Sequence, residues 1–230
     1  MSNHLVVFDC DGVLVDSETL SARVMRDMAR ELGVPFAGDA ALAMIRGRKV
    51  AEWVAELGEL AGRPVSDAFV PEFRSRCAAA FDRELLAVDG VDELLSDLDL
   101  AFCCASSAPL EKIRHVLGRT GLLRHLRPEH LYSAYEIGVW KPDPGLFLHA
   151  ARAHGVPPER CAVVEDSTPG VRAGLRASMT VFGYAPNGVA AFGAEDVTVF
   201  HSMRELPELL RRWHAALPGA ATTPAREVCR

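Results

Sequence analysis

The sequence predicts a doubly wound α/β fold with a mainly parallel sheet, opened once by a helical insert. Short apolar runs alternate with longer stretches of helical periodicity. The runs are apolar throughout instead of every second residue, as suits strands covered on both faces. Residues 17–86 break the rhythm, with helical patterns and no strand among them.

Taken in order, the predicted strands are Leu5–Phe8 and residues 100–105, 161–164, 180–182 and 197–200. Between them, helices are predicted over 110–117 (after Pro109), 145–154, 171–177 (after Pro169 and Gly170) and 204–213. Strand–helix alternation of this kind builds a parallel sheet. Within the insert, residues 21–32, 50–60 and 69–86 have helical spacing, separated by Gly33-Val34-Pro35 and Gly62-Arg63-Pro64. The expected organisation is a catalytic α/β core of residues 1–16 and 87–217, a helical cap of residues 17–86 and a flexible tail of residues 218–230.

Composition narrows the function classes. The chain has 230 residues, 49% hydrophobic and 24% charged, with a net charge of -6. It lacks the basic footprint of a nucleic-acid binder. No apolar run reaches the roughly 18 residues of a membrane span. The N-terminus carries no secretory pattern, so a cytoplasmic protein is expected. Cys10, Cys77, Cys103, Cys104, Cys161 and Cys229 include no Cys-x-x-Cys pair and read as reduced, mostly buried thiols, without zinc-ligand spacing. A monomer is the default.

The sharpest chemical signal is Phe8-Asp9-Cys10-Asp11-Gly12, where two carboxylates follow a buried strand. Ligands of open α/β sheets bind beyond the carboxyl ends of strands. Two carboxylates this close repel unless a cation or proton compensates. Magnesium would do so through hard oxygen ligands; a turn without chemistry is the plainer reading. Ser106 and Ser107 stand where a strand ends and a helix opens, a place for an anion or for an ordinary cap. Lys141, before Pro142, offers a fixed positive charge or a solvated surface lysine. Glu165 and Asp166 end another strand as a second carboxylate pair, a metal site or a helix cap.

Phe8 to Ser17, with Lys141-Pro142-Asp143-Pro144 and Glu165-Asp166, resembles the haloacid dehalogenase superfamily in its phosphatase branch; dehalogenases lack the second aspartate, here Asp11. The resemblance implies Asp9 as nucleophile, Asp11 as general acid and base, Ser106 as the phosphate hydroxyl and Lys141 as the fixed cation. It implies a magnesium ion on the Asp9 carboxylate, the Asp11 backbone carbonyl and Asp166, with Glu165 direct or through water. The expected reaction is hydrolysis of a small phosphorylated metabolite through an aspartyl-phosphate.

Other segments, among them Phe81-Asp82-Arg83-Glu84-Leu85, resemble phosphatases of sugar phosphates and of 6-phosphogluconate. The most basic stretch of the insert holds Arg46, Arg48 and Lys49, which read as an exposed turn or as contacts to a second anionic group of the substrate. A β-phosphoglucomutase-like phosphomutase is the alternative. The histidine that such caps carry after the first motif is missing from Glu18-Thr19-Leu20-Ser21-Ala22. A non-catalytic binding protein on the same fold is the remaining reading.

Overall fold

Leu5–Phe8 forms β1, and the two-residue period of a strand sends Leu5 and Val7 to one face and Val6 and Phe8 to the other. All four are buried, so both faces must be covered. The computed structural model describes residues 4–48, 50–188, 192 and 196–217. In it β1 is followed by β2 (Ala101–Ser106), β3 (Leu131–Ser133), β4 (Cys161–Glu165), β5 (Thr180–Tyr184) and β6 (Val197–Phe200). They make one sheet in the order β3-β2-β1-β4-β5-β6, with every pairing parallel. The predicted tail, with Cys229, lies outside the described residues, as does Lys49.

Ten α-helices are described. Over the Val6 and Phe8 face lie α5 (Val91–Asp97), α6 (Leu110–Arg119) and α10 (Leu206–Ala216), through Leu94, Ile113, Leu117 and Leu210. Over the Leu5 and Val7 face lie α8 (Gly145–Ala153) and α9 (Thr168–Arg176), through Leu146, Phe147 and Val171. Each such side chain stabilises the fold by roughly 1.5–3 kcal/mol on burial. The short α7 (Ala134–Ile137) follows β3. The five predicted strands are found; β3 is an addition, and so are α5, α7 and the six-residue α2.

Between β1 and α5 stand α1 (Ser17–Glu31), α2 (Ala40–Ile45), α3 (Val50–Leu60) and α4 (Phe69–Glu84). They share an apolar cluster of their own, with Met25, Met28, Met44, Trp53, Leu57 and Phe69 at its centre. The chain leaves and rejoins the sheet layer at one place. The Asp16 amide donates to the Leu86 carbonyl (3.1 Å), the Val88 amide donates to the Leu14 carbonyl (3.0 Å), and Val15 bridges Ala87 antiparallel. The five described cysteines that hold free thiols are all buried. No described helix is long and apolar enough to cross a membrane.

Candidate active site

The chain builds β2 and β3 on one side of β1 and β4 to β6 on the other, so strand order reverses at β1 and β4. That reversal leaves a crevice beyond their carboxyl ends. Asp9 follows β1 there, its amide donating to the Val164 carbonyl (3.0 Å), and β4 ends beside it in Glu165. Two glycines permit the close packing. Gly12 sits at φ +81°, and a Cβ there would lie 2.2 Å from an Asp166 carboxylate oxygen. A Cβ on Gly170, in the first turn of α9, would lie 1.9 Å from the Glu165 carboxylate. Any side chain at either position would push a carboxylate out of the crevice.

Lys141 reaches into this crevice and is almost wholly buried. Its Nζ donates to Asp9 Oδ1 (2.7 Å), Glu165 Oε1 (2.5 Å) and the Ala105 carbonyl (3.1 Å). Burial pulls the ammonium's pKa down, but the charges and hydrogen bonds of Asp9 and Glu165 hold it above the ordinary lysine value. The other oxygen of Glu165 accepts from the Ser167 amide (3.1 Å) and hydroxyl (2.9 Å). Both Glu165 oxygens are therefore taken.

Asp166 is different. Its Oδ1 is buried and has no hydrogen-bond partner. Burial, then the charges of Glu18, Glu165 and Asp9, raise its pKa well above the ordinary carboxylate range, against a smaller opposing pull from Arg46. Burial likewise lifts Asp9 to about 7, with Lys141 pulling down and Glu165 and Asp11 pushing up. One oxygen each from Asp9, Glu165 and Asp166 lie within 4.8 Å of one another. An orphaned buried oxygen in a group of mutually repelling hard ligands fits a divalent cation. Glu165 belongs to this cluster with both its oxygens already hydrogen-bonded, so Asp9 and Asp166 offer the less engaged oxygens.

Asp11 faces the cavity side. Burial opposes its ionisation, but the charge and hydrogen bond of Lys112 (Nζ to Oδ1, 2.8 Å) and the Ser17 hydroxyl hold its pKa below the ordinary value. Lys112 is a site residue that the sequence reading missed. Ser106 ends β2 with its hydroxyl accepting from the Ala108 amide (3.1 Å), and Ser107 stands next to it. Asp9, Asp11, Ser106, Ser107, Lys141 and Asp166 all line one cavity of about 560 Å³, roofed by α2 to α4. Arg46 and Arg48 line it too, but each is already matched. Arg46 pairs with Glu18 and stands 3.7 Å from Asp166, and Arg48 pairs with Glu56 (2.6 Å). The structure thus gathers the predicted core residues, with Glu165 fully buried beside Asp9 and Asp166 and absent from the cavity lining.

Residues 4–178 match the family model of the haloacid dehalogenase-like hydrolases. The chain belongs to this family. Among curated relatives of this hydrolase, a 6-phosphogluconate phosphatase of Escherichia coli is 35% identical over 207 residues, covering 89% of this chain and 93% of that one. Hexitol phosphatase A of Escherichia coli is 30% identical, covering 87% and 91%. Among solved structures, a haloacid dehalogenase family hydrolase of Deinococcus radiodurans R1 with bound phosphate and sodium superposes with a TM-score of 0.75 at 29% identity, covering 91% and 96%.

The raised carboxylates make a pH prediction for the protein stripped of divalent metal. A folded-state pKa above the unfolded value means that the folded state binds more protons. The stability Asp9 contributes is then full below about 3.8 and is lost as pH rises toward about 7. Asp166 acts in the same direction. A divalent cation that replaces those protons should stabilise more at pH 8 than at pH 5.5. Melting curves with and without magnesium at the two pH values check this; an equal shift at both would remove the cation from these carboxylates.

Proposed function

We propose that this hydrolase removes phosphate from a small sugar or sugar-acid phosphate, with 6-phosphogluconate as the leading candidate, through a phosphoryl group carried on Asp9. One observation carries the reading: a buried carboxylate, Asp9, is gripped through one oxygen by Lys141 beside the partnerless oxygen of Asp166, on the floor of a metabolite-sized cavity.

Residues 1–16 and 87–217 serve as the catalytic core in this reading, and residues 17–86 as a cap that closes the cavity against water. Asp9, Asp166 and the Asp11 backbone carbonyl would hold magnesium, which supplies positive charge against the phosphate oxygens when bound. Ser106 and the neighbouring Ser107 orient an equatorial oxygen, and Lys141 draws off negative charge as Asp9 approaches phosphorus. The Asp9–phosphorus bond forms as the bond to the leaving oxygen breaks, and Asp11 delivers a proton to that oxygen. Water then attacks the phosphoryl group, with Asp11 taking its proton, and Asp9 is regenerated. Lys112 and Ser17 hold Asp11 ionised at rest, so the proton it delivers in the first step is one it takes from a monoprotonated substrate phosphate, and giving that proton up leaves the ionised form the second step needs. Glu165 fixes Lys141.

Purified protein is expected to release phosphate from sugar and sugar-acid phosphates only with a divalent cation, losing this on chelation and regaining it with magnesium. Isomerisation of a sugar phosphate without free phosphate would replace hydrolysis by the mutase reading. No release from any phosphomonoester would sink the proposal.

A further inference from the structure

The basic side chains that line the cavity almost all have carboxylate partners. Lys141 faces Asp9 and Glu165, Lys112 faces Asp11, and His115 faces Asp82 (2.6 Å). Arg46 and Arg48 face Glu18 and Glu56. Each of these side chains already has a carboxylate partner that offsets its charge. Arg74, on α4, is the exception: among the described residues no acidic side chain pairs with it. Its Nη2 donates to the Tyr135 hydroxyl (3.1 Å), and its guanidinium carbon lies 5.9 Å from the centre of that ring.

Tyr135 belongs to α7, on the sheet side of the cavity, so this contact joins the insert to the core across 61 residues of sequence. Tyr135 is 43% exposed. Its ring stands edge-on to Trp140, centroids 5.4 Å apart, and Trp140 directly precedes Lys141. The unmatched positive charge is therefore connected, through two packed rings, to the lysine that holds Asp9. On another part of the wall, Gly47 comes so close to Pro169 and Ser167 that a Cβ there would lie 3.3 Å from each. The insert thus also meets the core beside the carboxylate cluster, and Arg74 with Tyr135 makes a separate junction on the cavity wall.

We propose that Arg74 and Tyr135 form the receptor for a second anionic group of the substrate, a carboxylate or a second phosphate distant from the reacting phosphorus. This inference rests on the phosphatase reading. The guanidinium supplies charge and a planar donor fork, as suits a two-oxygen anion. The Tyr135 hydroxyl, turned from accepting to donating, adds another hydrogen bond. Because one partner sits on the insert and the other on the core, an anion between them fastens the two together. Substrates with this second charge are thereby selected over neutral ones of the same length.

The test compares three substrates of equal carbon number: a phosphorylated sugar acid, a sugar bisphosphate and a neutral sugar monophosphate. Wild-type protein should prefer one or both doubly anionic substrates. Arg74→Ala should lower the ratio of kcat/KM for the preferred anionic substrate over the neutral one by roughly 10–100-fold, chiefly through KM. Arg74→Lys should recover part of that ratio, and Tyr135→Phe should lower it less than Arg74→Ala. Whichever doubly anionic substrate suffers the larger loss identifies the group bound. A wild-type enzyme without preference, or an Arg74→Ala ratio equal to wild type, even with all rates reduced, overturns the assignment. Wild-type protein that releases phosphate from none of the three instead sinks the phosphatase reading beneath it.

Discussion

Asp9→Asn is expected to abolish phosphate release, by roughly 10⁴-fold or more in kcat. The amide nearly matches the carboxylate in shape, so the crevice is not emptied, but it lacks the anionic oxygen that reaches phosphorus in the proposed reaction. Stability should hold or improve when divalent metal is absent. Asp9 is one of three carboxylates that burial and mutual repulsion make costly, and Lys141 keeps Glu165 and the Ala105 carbonyl as partners. Steady-state phosphate release together with a melting curve checks both halves. Turnover within tenfold of wild type, from a protein free of contaminating phosphatase, would take Asp9 out of the reaction.

Lys141→Met comes second, because it removes two things at once. The first is the charge beside the nucleophile. Losing one preorganised group of that kind lowers kcat by roughly 10²–10³-fold. The second is, among the described residues, the only cation paired with Glu165, which is fully buried. Breaking a buried ion pair on one side costs roughly 3–5 kcal/mol of stability. The double variant Lys141→Met with Glu165→Gln separates the effects. Its stability should recover in part, because Glu165 no longer leaves a bare charge although Asp9 still lacks its partner, while its turnover stays low. Recovery of turnover in the double variant would show that Lys141 matters only as a structural partner of Glu165.

Much of this was legible beforehand, and the omissions have physical reasons. Leu5–Phe8 and the later apolar runs announce a covered parallel sheet, and Asp9, Asp11, Ser106, Lys141 and Asp166 stand out by residue type and position. β3 has three residues, too few to show a pattern. Glu165 and Asp166 read alike as adjacent acids. Yet side chains alternate along a strand, and at the end of β4 the first turns down to Lys141 while the second faces the cavity. Lys112 lies in the first turn of α6 among Leu110 and Ile113, where a polar residue reads as solvated. Helical side chains lean toward the N-terminus, which here means toward Asp11. The pairing of Arg46 with Glu18 and Arg48 with Glu56 belongs to tertiary structure. No spacing rule discloses that a basic stretch is already neutralised, or that Arg74 is not.

The doorway through which the chain quits the sheet at Asp16 and comes back at Leu86 has a consequence for descent. Both jambs are hydrogen-bonded to each other, so the register of the strands owes nothing to what hangs between them. Lengthening such an excursion adds little entropy of closure, since that term grows only logarithmically. Changes to the suspended helices that spare Ser17 and Arg46, the insert's contacts to Asp11 and Asp166, can therefore reshape the cavity roof while the strands below keep their register.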